Sequence, residues 1–154
     1  MIIKKLEMEQ EKEFLDRCKE YLEWVSTNTN PNYVWSLTEA KNELDYTLKN
    51  GIVYIAEQAN HIIGSIAFAI TPMFMSLEKI AHEKVWHCNK NLPIKTKYKV
   101  LVGLLEKANE WAIKNKVDRL IISAHSKNPS VKILHKHGYL ESETFYEKEL
   151  NYGF

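Results

Sequence analysis

The sequence predicts an α/β (α+β) fold, a mixed central β-sheet flanked by helices on both faces. Three observations carry this. Two apolar, β-branched-rich runs, Ile52 to Ala56 and Ile62 to Ile70, stand either side of a turn at Asn60-His61 and read as a hairpin. Leu101, Leu104, Leu105, Ala108, Trp111 and Ala112 form one apolar stripe at helical spacing. The chain then continues through a strand, a short helix and a strand-like tail, an order that argues for a mixed sheet covered on both sides.

The elements follow in chain order. Met1 to Leu6 is short and partly apolar, a first strand. Between Glu9 and Val25, residues Phe14, Cys18, Leu22 and Val25 recur at spacings of three and four, which puts them on one helix face. The turn-forming run Ser26 to Pro31 should break that helix. Ser36 is placed to cap a second helix ahead of Glu39, and Asn50-Gly51 to end it, glycine suiting a left-handed stop. Pro72 should interrupt the second hairpin strand. Ile80 to Cys88 is a further strand of mixed polarity. Asn89 to Tyr98 is polar, carries Pro93, and sits among Lys90, Lys95, Lys97 and Lys99. After the third helix, Arg119 to Ala124 reads as a buried strand. Asn128-Pro129-Ser130 opens a short helix that stops at Gly138, and Tyr139 to Leu150 alternates like a strand.

Composition narrows the class. With 154 residues, 45% hydrophobic and 27% charged, the chain fits one ordinary domain, 1–154, and not a disordered or fibrous protein. The net charge of +1 lacks the bulk signature of a nucleic-acid binder, and Lys90 to Lys99 has no aromatic interleaving beyond Tyr98. No apolar run approaches a bilayer span, and Met1 to Glu13 has no signal-peptide core, so a cytoplasmic protein without membrane partners is expected. Cys18 and Cys88 form no C-x-x-C pattern, which argues against a structural metal site. A homodimer is left open.

Several stretches resemble the GNAT superfamily of acetyl-CoA-dependent N-acetyltransferases. Ile52-Val53-Tyr54-Ile55-Ala56-Glu57, a turn, then Ile62-Ile63-Gly64-Ser65 is similar to the family's hairpin. Gly103 through Ala112 is similar to its third helix. Asn128-Pro129-Ser130 through His137-Gly138-Tyr139 is similar to its N-x-x-(small) … G-(F/Y) signature. Ala69-Ile70-Thr71-Pro72 with Phe74, Ser76, Lys79 and Ala81 is similar to a subgroup common in bacteriophage genomes. So is Gly138-Tyr139 followed by Thr144, Tyr146 and Lys148-Glu149-Leu150. The resemblance implies transfer of an acetyl group from acetyl-CoA directly to a primary amine on a small molecule or protein, with no metal. The alternative is a GNAT-like binding or interaction protein that has lost catalysis.

The resemblance also implies site residues. A carboxylate on the fourth strand serves as base in such enzymes, and Glu83 lies on the corresponding strand. Simple alternation puts Ala81, Glu83, Val85 and His87 on one face and His82, Lys84, Trp86 and Cys88 on the other. Apolar neighbours should raise the Glu83 pKa; an ordinary surface or salt-bridged glutamate is the other reading. His87 is a candidate second base or a packed histidine. The family's acid is a tyrosine four residues before the glycine; that position holds Leu134, or His135 with a one-residue slip. His135 and His137 lie about 200° apart around a helix and cannot share a metal there.

For the cofactor, the family's glycine-rich phosphate loop corresponds to Thr96, Lys97, Tyr98 and Lys99, with no glycine. The lysines either hold phosphate as point charges, or are a solvated run beside a weakened site. A bulge in the fourth strand should end its pairing with the fifth and free backbone groups for the pantetheine arm, next to Trp86, His87 and Cys88. Asn128, from the family signature, completes the cofactor set. Trp24, Tyr33 and Trp35 form either an aromatic wall for the acceptor or packed helix ends.

Overall fold

The computed structural model describes residues 1–28, 33–72, 75–124, 128–143, 146, 148 and 150. Pro31, Phe74, Thr144 and Glu149, which entered the expectations above, lie outside them. The chain divides into two compact units, Met1–Ser123 and Ala124–Phe154.

In the first unit the order is β1 (Ile2–Lys5), a single 3-10 turn (Met8–Gln10), α1 (Glu11–Asn28), α2 (Leu37–Asn50), β2 (Gly51–Gln58), β3 (His61–Pro72), β4 (Lys79–Cys88), α3 (Ile94–Lys114) and β5 (Arg119–Ile121). The five strands form one sheet in sequence order, antiparallel except for the parallel β4–β5 pair. The second unit contributes α4 (Val131–Lys136). No helix among the described residues is long and apolar enough to cross a membrane.

Cross-strand register explains the layers. Val53, Ala67 and Val85 are direct partners, and they join Phe14 and Leu15 of α1 and Leu44 of α2 in one core cluster. Their neighbours Tyr54, Ile66 and Trp86 are also partners and face the other way. There Trp86 donates its indole N–H to the Leu101 carbonyl of α3 at 3.3 Å. The α3 stripe Val100, Leu101, Leu104, Leu105, Ala108, Trp111 and Ala112 is buried, each Leu contributing roughly 1.5–3 kcal/mol by leaving water.

Several boundaries differ from expectation, each for a local reason. α1 extends into the expected breaker as far as Asn28: Thr27 donates its hydroxyl to the Glu23 carbonyl at 2.9 Å, and Asn28 its amide to the Trp24 carbonyl at 2.8 Å. These polar side chains bond back into the last turn, which carries the helix three residues into the run. The hairpin turn sits one residue earlier than expected, at Ala59 and Asn60, both at positive φ, as a tight two-residue turn requires. β5 covers three residues and is only partly buried. Among the described residues after Gly138 there is no strand.

Ser36 caps α2 as expected, accepting the Glu39 N–H at 3.3 Å. Gly51 does not end α2 in a left-handed turn; its φ of −165° is extended, and it begins β2. Its glycine is required by close approach. A Cβ there would lie 1.8 Å from the Phe68 carbonyl oxygen. Gly51→Ala must push β2 and β3 apart and should destabilise the protein by about 3 kcal/mol, the upper range for overpacking; urea unfolding measures it.

Candidate active site at the β4 bulge

β4 follows β3 from Pro72↔Lys79 to Gly64↔Cys88, but the register slips between Ala67↔Val85 and Phe68↔Glu83. Lys84 is therefore an extra residue, a bulge in β4. On the other side, β5 pairs with β4 only through Ile80↔Arg119, Ala81↔Leu120 and His82↔Ile121. The paired end is fastened: Asp118 gives its N–H to the Lys79 carbonyl at 2.7 Å and takes the Lys79 N–H on its carboxylate at 2.6 Å. Arg119 and Glu78 form an ion pair beside it. Pairing stops where the bulge begins. Ser123, two residues past the last pair, donates its backbone N–H to the Glu83 carboxylate rather than to a β4 carbonyl.

Glu83 thus lies where the two strands part. Burial pushes its carboxyl up to about 7, against the opposing Ser123 N–H and Lys84 charge. The bulge also overturns the simple alternation expected for β4. Lys84 turns toward α2, 3.5 Å from the Glu43 carboxylate and 5.7 Å over the Tyr46 ring.

His87 is buried and shares a 3.0 Å hydrogen bond between its Nε2 and the Ser65 hydroxyl. Burial lowers its pKa to about 4, so the ring is neutral at neutral pH. Tyr21 of α1 stacks on it with ring centres 4.8 Å apart, and Trp24 stacks on Tyr21 at 6.4 Å. Burial first, then the Glu83 charge, raises the Tyr21 pKa, so the phenol keeps its proton. Glu83 is a carboxyl poised near neutrality within reach of the uncharged Tyr21 phenol, which suits removal of a proton from an ammonium.

The remaining sequence candidates fall into separate places. Trp86 is core on the α3 side, its N–H committed to Leu101. The Cys88 thiol is pushed up by burial, opposed by the charge of Lys97. Thr96, Lys97, Tyr98 and Lys99 are not a loop but the start of α3, which begins at Ile94 after Pro93. Without a glycine to hold the chain open, these residues join the helix, and Pro93 sets its beginning. The Lys97 N–H already bonds the Pro93 carbonyl at 2.9 Å. By helix geometry the uncommitted N–H groups are those of Ile94, Lys95 and Thr96, beginning two residues earlier than expected. No acidic residue and no side-chain cap occupies that turn.

In the second unit, Asn128 orders the start of α4, its side chain accepting the Ser130 N–H at 3.0 Å. His135 is exposed on α4, and Leu134 is buried. Burial pushes the Tyr139 phenol up to about 12. Sequence reasoning missed Tyr21 and Ser65 as neighbours of His87. The one available signal for Ser65 was its place next to Gly64 on the strand paired with β4. Among the described residues no group of three His, Cys, Asp or Glu side chains is placed to hold a metal ion.

No protein-family model matches the sequence. No curated protein matches it either. Solved structures do. A ribosomal-protein-alanine N-acetyltransferase from Brucella melitensis biovar Abortus 2308 is similar over 99% of this chain and 98% of its own, at TM-score 0.74 and 12% identity. An aminoglycoside 6'-N-acetyltransferase from Acinetobacter haemolyticus is similar over 98% and 100%, at TM-score 0.69 and 16% identity. A predicted acetyltransferase from Clostridium acetobutylicum, solved with acetyl-CoA, is similar over 96% and 95%, at TM-score 0.73 and 16% identity. The chain has the GNAT fold of these acetyltransferases.

The raised Glu83 pKa has a consequence for stability. A carboxyl that binds its proton more tightly when folded stabilises the native state below its ordinary pKa of 4.5, and that stabilisation is lost as pH rises through about 7. Across this window the wild type should lose up to roughly 3 kcal/mol relative to Glu83→Gln. Urea midpoints of both proteins at pH 5 and pH 8 measure the gap, and the His87 contribution cancels between them.

Proposed function

We propose that the chain is an N-acetyltransferase that moves the acetyl group of acetyl-CoA directly to a primary amine, with Glu83 as the base. One observation carries the reading: a half-buried carboxylate, held near neutral pKa, at the point where β4 and β5 part. The similar solved structures act on unlike amines, a ribosomal-protein alanine and an aminoglycoside, and they support amine acetylation without naming the acceptor. It is a small molecule or a protein amine. A cytoplasmic setting and the likeness to the bacteriophage subgroup rest on the sequence.

The residues present fit acetyl-CoA. The uncapped first turn of α3, free of acidic residues and flanked by Lys95, Lys97 and Lys99, offers N–H donors and positive charge to a pyrophosphate. The outer edge of β4 beyond His82 has no strand partner among the described residues and offers backbone groups to the pantetheine arm. Glu83 takes a proton from the acceptor ammonium. The freed amine attacks the thioester carbonyl carbon, the C–N bond forms, the C–S bond breaks, the electron pair leaves on sulfur, and the proton still carried by the nitrogen is lost to give the neutral amide, balancing the proton the thiolate takes up. His135 is the sequence candidate for returning a proton to that thiolate.

A second reading, a binding protein without transfer, is favoured by Leu134, which puts a side chain without a proton where the family's acid stands. Acetyl-CoA at about 100 times its dissociation constant should add about 2.7 kcal/mol of stability. The melting shift should shrink at high salt, because lysine side chains are screened. No shift at low salt would remove the transferase reading. If it holds, Glu83→Gln should cut turnover by roughly 10²–10⁴ while leaving acetyl-CoA affinity nearly unchanged. The loss should narrow at high pH, where more of the amine arrives deprotonated. Full activity of Glu83→Gln on a true acceptor would strike Glu83 from the site.

A further inference from the structure

Next to the bulge, between α1, α2 and the sheet, lies a cavity of about 130 Å³. Phe14 and Leu15 of α1, Leu44 of α2, and Val53 and Val85 of the sheet form its apolar wall. Its charged lining residues, Glu43 and Lys84, are paired with each other at 3.5 Å. Thr47, also in the wall, gives its hydroxyl to the Glu43 carbonyl at 2.7 Å. The cavity is therefore lined by hydrocarbon and by polar groups already matched among themselves.

Its position relates it to Glu83. Lys84 and Val85, the next two residues of β4, line it. So does Cys18, one helical turn before Tyr21, and Tyr21 lies within reach of the Glu83 charge. The stack of Trp24, Tyr21 and His87 adds flat surface on the same side of the sheet.

We propose that this cavity receives the apolar body of the acceptor, and that the substrate class is a monoamine carrying one compact aromatic or branched apolar group. The inference rests on the transferase reading above. Size supports it, since an apolar cavity of about 150 Å³ suffices to bind benzene. Charge supports it further. A polycationic amine needs several unpaired carboxylates, whereas the carboxylate in the cavity wall, Glu43, is matched by Lys84. Glu83 then meets the single ammonium while the apolar group leaves water.

The test uses the full chain with phenethylamine, methylamine and spermidine. With acetyl-CoA, kcat/KM for phenethylamine should exceed both others by about 100-fold, the worth of burying a phenyl-sized group. Ala40 is half-buried in the cavity wall, and Ala40→Leu fills the space. It should shrink the preference for phenethylamine over methylamine about tenfold and weaken phenethylamine binding, read without acetyl-CoA by ligand-observed NMR. Cys18→Leu fills the cavity from the opposite wall and serves if Ala40→Leu fails to fold. Equal or better use of spermidine, or phenethylamine binding unchanged in both filled variants, overturns the proposal. Phenethylamine binding that the filled variants weaken, with no amine acetylated, keeps the cavity assignment and sinks the transferase reading instead.

Discussion

A parallel ladder between β4 and β5 requires both strands to keep one twist and one repeat, and the extra residue Lys84 breaks that condition in β4. Before the bulge, the strands are fastened by the Asp118–Lys79 bonds and three ladder pairs. After it they separate. The separation leaves polar backbone without a strand partner, and unpaired buried groups are costly. Glu83 answers part of that cost by accepting the Ser123 N–H. The same side chain therefore serves the fold at the point where the proposed chemistry needs a base, which accounts for its being both half-buried and hydrogen-bonded.

The layers were legible in the sequence because burial imposes period. The α3 stripe, the hairpin runs and the Ser36 cap all appear where spacing and residue type put them. The bulge itself was expected from a family resemblance, but its position was not, and strict alternation placed Lys84 with Trp86. A bulge has no hydrophobic signature of its own. It shifts the parity of every later residue, so Lys84 joins Glu43 and Tyr46 while Trp86 stays with α3. The start of α3 was misread for a different reason. Lysine, threonine and tyrosine look like loop when read for polarity, yet their helix propensity is adequate once Pro93 fixes the first turn. Glu83 was found by type and strand; the His87 neighbours Tyr21 and Ser65 required the tertiary packing of α1 and β3 against β4.

The electrostatics of the site follow from burial acting oppositely on acids and bases. Desolvation drives the His87 ring toward neutrality and the Glu83 carboxyl toward protonation, so their pKa values move past each other, to about 4 and about 7. Between those values both groups are uncharged, which is the form the low-polarity setting prefers. Above about 7 only Glu83 gains a charge, and it does so within reach of the protonated Tyr21 phenol. Lys84, the cation closest in sequence, lies against Glu43 and only partly offsets it. A largely uncompensated carboxylate in such surroundings is stabilised most by an ammonium brought against it, and delivery of that proton restores the uncharged state.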